Sequence, residues 1–79
     1  MNPAYRHEIL SSALSARVRE VTEYEVNIDN FRLALEVASA MDGMEDFVTQ
    51  LRELLASSVR ELRKAQIMHD VIRQQLEAT

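Results

Sequence analysis

Apolar residues recur along this chain at alternating steps of three and four, the spacing that keeps one stripe on a single face of an α-helix packed in coiled-coil fashion. With each heptad lettered a to g, the first half places Leu14, Val21, Ile28 and Leu35 at a, and Leu10, Arg17, Tyr24, Phe31 and Ala38 at d. Only Arg17 is polar. The second half places Val48, Leu55, Leu62, His69 and Leu76 at a, and Met44, Leu51, Ser58, Ala65 and Ile72 at d. Here His69 and Ser58 interrupt the stripe. The pattern predicts an all-α fold of two long helices, about 3–41 and about 44–77, in a single helical domain over residues 1–79.

The punctuation agrees with the stripe. Asn2-Pro3 reads as an N-cap followed by proline at the first helical position, where a missing N–H costs nothing. Asp42-Gly43 is a turn dipeptide whose glycine supplies the left-handed backbone that closes a helix. Folding the stripes antiparallel about that turn pairs residues whose numbers add to 86, twice that of Gly43. Leu35 then meets Leu51, Phe31 meets Leu55, Tyr24 meets Leu62, and Leu14 meets Ile72. Arg17 and His69 also share a layer, so the antiparallel helical hairpin has one fully polar layer in its seam.

The alternative is a three-helix bundle with a break at Asn27-Ile28-Asp29-Asn30, since Asn and Asp compete with the helical backbone and can cap. Against it, the stripe keeps its phase through Tyr24, Ile28 and Phe31, which a loop would reset.

Length adds a constraint. A chain of 79 residues buries only about 60% of the surface its unfolded form exposes. A hairpin with one seam has little core to set against the entropy of ordering it. Apolar residues outside the seam indicate how the deficit is met: Val26, Leu33 and Val37 on the first helix, and Phe47, Leu54, Ile67 and Val71 on the second. A helix apolar on more than one face is buried by more than one neighbour. These seven residues are the expected interface of a homodimer, two hairpins forming a four-helix bundle.

The search for chemistry is short. No cysteine is present, which removes disulfides, thiolate metal sites and thiol catalysis together. The nearest approach to the Glu-x-x-His ligand spacing of carboxylate metal bundles is Gln66-Ile67-Met68-His69, with an amide where the carboxylate is needed. One glycine leaves no room for a phosphate-cradling loop or a nucleophile elbow. No catalytic residue, metal ligand or cofactor site is therefore assigned, and the chain is not expected to be an enzyme. Arg17 and His69 read first as a polar layer that specifies register, at some cost in stability.

Charge narrows the choice of partner. Nine basic against thirteen acidic side chains give a net charge of −4, which disfavours nucleic acid and anionic membranes. No run of apolar residues is long enough to span a membrane, and the N-terminal region lacks the basic-then-apolar order of a secretory signal, so a cytoplasmic location is expected. The cluster Glu20, Glu23, Glu25 and Asp29 is expected to pair across the hairpin or dimer with Arg60, Arg63 and Lys64. Three function classes follow. The leading one is a non-enzymatic protein–protein interaction module, an adaptor, chaperone or inhibitor that binds itself and a second, unidentified protein. A small-molecule or nucleotide binder would gather Tyr5, Arg6, Arg17 or His69 at a subunit junction. An acidic nucleic-acid mimic would present the Glu20–Asp29 carboxylates as one unpaired face.

Overall fold

The computed structural model describes residues 2–78 and consists of two helices, α1 (Pro3–Ser39) and α2 (Glu45–Glu77), packed against each other as a hairpin. The molecule is a rod of 61 × 15 × 14 Å. Its length is close to the roughly 55 Å that 37 helical residues span at 1.5 Å each.

The N-terminal start of α1 follows from the capping chemistry. Asn2 holds an extended backbone, and its side-chain oxygen accepts from the Ala4 N–H at 2.9 Å, with Pro3 in the first turn. At the other end the helix stops at Ser39, about two residues short of the expected 41. Ala40 keeps right-handed geometry with its N–H turned to the Ala38 and Val37 carbonyls, and the Met41 N–H reaches the Ala38 carbonyl at 3.1 Å. Gly43 is left-handed (φ 80°) but does not close α1; it reverses the chain just before α2. That helix begins at Glu45, one residue later than expected, with Met44 giving no side-chain cap. Glu45 and Asp46 put negative charge at the positive end of the helix dipole instead.

No break interrupts α1 at Asn27–Asn30, so the three-helix bundle does not form. Ile28 is 4% exposed and locked into the seam, while Asn27, Asp29 and Asn30 face solvent, where their side chains leave the helical backbone bonds undisturbed. The phase of the apolar stripe outweighed local capping preference.

The core lies where the heptads place it. All six buried residues, Leu10, Ile28, Ala38, Leu51, Ala65 and Ile72, are seam positions, and the other seam residues are half-buried except Met44, which is exposed at the mouth of the turn. The register is tied at the open end by Arg6, whose guanidinium donates to Gln75 Oε1 at 2.9 Å across the two helices. Gln75 stands one position before the a site Leu76, and Arg6 one position before His7, the a site one heptad ahead of Leu14, which is where side chains flank an antiparallel seam. Yet no side chain in the described residues is completely sealed from solvent. The seam is a single layer of contacts with water along both flanks.

Candidate interaction surface

The two flanks of the seam differ in chemistry. One flank carries the residues preceding the a positions. Near the turn these are Ala34 on α1, Met41 in the turn, and Phe47 and Leu54 on α2, all apolar. Ala34, Met41 and Phe47, together with Leu33, Val37, Ala38 and Met44, form an open groove of about 350 Å³ that no charged or polar side chain lines. Leu33 and Val37 are 61% and 64% exposed, and Phe47 is 44% exposed. Leu54 continues this row one heptad further along α2, and Val26 lies one heptad before Leu33 on the outer row of α1, also exposed.

The seven expected interface residues are therefore all solvent-exposed, but they do not form one patch. Val26, Leu33, Val37, Phe47 and Leu54 occupy the half of the rod that ends in the turn. Ile67 and Val71 stand on the outer side of α2, beginning thirteen residues beyond Leu54, or about 20 Å along the helix. Met41 is an exposed member of the groove that heptad reasoning passed over, because it was assigned to the end of a helix rather than to the turn. Val18 was passed over as well, and it lies on the opposite flank.

That opposite flank is polar. A cleft of about 500 Å³ is walled by Val18, Val21, Thr22 and Glu25 from α1 and by Gln66, His69 and Asp70 from α2. A second, of about 270 Å³, is bounded by Glu25, Asp29, Arg32 and Val59 beside the seam residues Ile28 and Leu62. His69 and Arg17 are both half-buried at their seam positions, and each turns to a carboxylate of its own helix. His69 Nδ1 lies 3.0 Å from Asp70 Oδ1, and Arg17 Nη1 lies 3.3 Å from Glu20 Oε2. Arg17 Nε is left buried with no hydrogen-bond partner. Each side chain is satisfied from within its own helix apart from that one donor, and a buried donor without a partner costs stability.

Among the described residues no ion pair crosses the hairpin. Within them the ion pairs join Arg17–Glu20, Arg19–Glu23, Lys64–Glu61, and Arg73 with Asp70 and Glu77, and the His69–Asp70 hydrogen bond likewise stays within one helix. Glu23 and Arg63 sit on outer faces pointing away from the seam, so the expected pairing of the Glu20–Asp29 cluster with Arg60, Arg63 and Lys64 within a hairpin is not made. Since Glu20 and Glu23 are matched by Arg17 and Arg19, the cluster is also not one unpaired acidic face. Within one hairpin Arg6 is held at the open end by Gln75, whereas His69 lines the polar cleft. No group of three or more His, Asp or Glu side chains capable of holding a metal ion occurs among the described residues. No helix in them is long and apolar enough to cross a membrane.

No protein-family model, curated protein or solved structure matches the chain.

Proposed function

We propose that this chain is a non-enzymatic protein–protein interaction module, a homo-oligomeric α-hairpin working in the cytoplasm as adaptor, chaperone or inhibitor of a second protein. The observation that carries this reading is the imbalance between core and surface: among the described residues, six buried apolar residues stand against thirteen exposed large ones. Scattered exposed apolar side chains are ordinary, but a contiguous apolar groove on a small domain marks a surface that binds something. Helical hairpins meet such needs by laying an apolar helix face against another helix. The absence of cysteine suits a reducing compartment.

Sedimentation equilibrium of the full chain at micromolar concentration tests the oligomeric part of this reading, and a dimer or larger species is expected. A monomer that unfolds in one sharp thermal transition, whatever its concentration, would overturn it. The protein-binding part is tested by affinity capture from the native host followed by mass spectrometry, with the Leu33→Glu variant as control. A partner retained by the native chain and lost by the variant is expected, and equal recovery by both would contradict it.

A further inference from the structure

We infer that a second copy of this chain covers the turn-proximal apolar flank, with a two-fold axis passing beside Val37 and Phe47, and that the polar flank around His69 stays open to solvent in the dimer. The inference rests on the self-association proposed above and adds where it takes place.

Surface area argues for a copy of the chain as the occupant. The hairpin exposes 5939 Å². A folded monomer of its 9.1 kDa would expose about 4,900 Å². The excess of about 1,000 Å² is close to the roughly 800 Å² that each partner contributes to a standard stable interface. A chain whose core contains no fully sealed side chain also needs its cover whenever it is folded, and the molecule present on every such occasion is another copy.

The chemistry of the two flanks selects the face. A two-fold contact is isologous, so each patch must complement itself. An apolar groove meets that condition, because Leu33, Val37 and Phe47 of one copy can pack on the same residues of the other without stranding a charge. The unbranched side chains of Met41 and Met44 can adjust to fill the remaining gaps. Burying the polar flank against itself would instead bring Glu25, Asp29 and Asp70 of two copies together and desolvate them. Ile67 and Val71 lie outside the apolar groove, on the outer side of α2 beside the charged Arg63, Lys64 and Asp70, and are excluded on the same comparison. Because each copy carries a net charge of −4, association through this face works against repulsion and should hold or tighten as salt is added.

The test compares exposed positions in the two halves by sedimentation equilibrium of the full chain. Val37→Glu should weaken dimerisation at least about 100-fold, since it buries an unpaired charge. Ile67→Glu and Val71→Glu should leave it within about 3-fold. A monomeric native chain would overturn this inference together with the self-association reading. A dimer that survives Val37→Glu and falls apart with Ile67→Glu, or that dissolves as salt rises, would overturn the placement while leaving self-association standing. Should Val37→Glu fail to fold, single-cysteine variants decide the matter in a chain with no native cysteine. Val37→Cys should give a disulfide-linked dimer under mild oxidation and Ile67→Cys should not, and the reverse outcome would overturn the placement.

Discussion

The half of the rod that ends in the turn and the half that ends in the two free termini share one seam but distribute polarity in opposite ways. In the turn half the seam is apolar apart from Ser58, with Leu51 3% and Ala38 4% exposed, and a surplus of apolar side chains lies outside it in the Leu33–Phe47 groove. In the open half the seam itself is interrupted by Arg17 and His69, its last buried residues Leu10 and Ile72 are 9% and 8% exposed, and a charge-assisted bond from Arg6 to Gln75 stands in for apolar contact. The difference separates two tasks. On the proposed reading, register is specified in the open half by the polar layer and association falls to the turn half, where the Leu33–Phe47 groove has no polar lining.

The largest effect expected from breaking this contrast is in the turn-half core. Leu51→Ala should cost about 2–5 kcal/mol in urea unfolding, a large share of what so small a fold possesses. Ile72→Ala in the open half should fall at the lower end of that range. If Ile72→Ala cost more than Leu51→Ala, the turn half would not be the better-packed one.

Next in size is a gain. Replacing both Arg17 and His69 with Leu makes the open half resemble the turn half, and should raise stability by about 1–2 kcal/mol by removing a stranded donor and adding apolar contact. The single substitutions should help less, and their sum should differ from the double, because residues sharing a layer couple. Additive effects in a double-mutant cycle, with no cross-link between Leu14→Cys and Ile72→Cys, would show that the register is not the one described.

Gly43→Ala loosens the turn half without touching its packing. The added Cβ meets nothing within 4 Å, so only the left-handed backbone is penalised, at about 1 kcal/mol in thermal unfolding. Gly43→Asn should cost less, since asparagine tolerates that conformation. The smallest effect concerns the open end. Arg6→Ala removes the bond to Gln75 and should cost about 0.5 kcal/mol, seen as faster amide exchange over residues 4–10 with no change near Leu51.

Much of this architecture was legible in the sequence because coiled-coil packing has a period, and a period can be counted. Every buried residue lies on the a and d positions, and the continuity of α1 through Ile28 follows from the same phase. What a period does not encode is the direction taken by side chains that leave the stripe. The carboxylates of Glu20 and Glu23 found arginines three and four residues away on their own helix, because those partners are always within reach, whereas facing charges on outer rows are not. Nor does a period say that Met41 and Met44 leave the helices and frame a groove, since that depends on where α1 stops. Its last turn is closed by backbone bonds from Ala40 and Met41, with no side-chain signal in the sequence.

If the hairpin self-associates through its apolar flank as proposed, folding and association are one equilibrium, and the concentration dependence of thermal unfolding tests this most directly. Raising the chain concentration 100-fold, from about 1 to about 100 μM, should lift the Tm by about 5–10 °C, as mass action requires when the folded state is a dimer and the unfolded state is not. A Tm that stays constant across that range, with a single sharp transition, would show that the hairpin is stable alone and that its apolar flank contributes nothing to holding the fold.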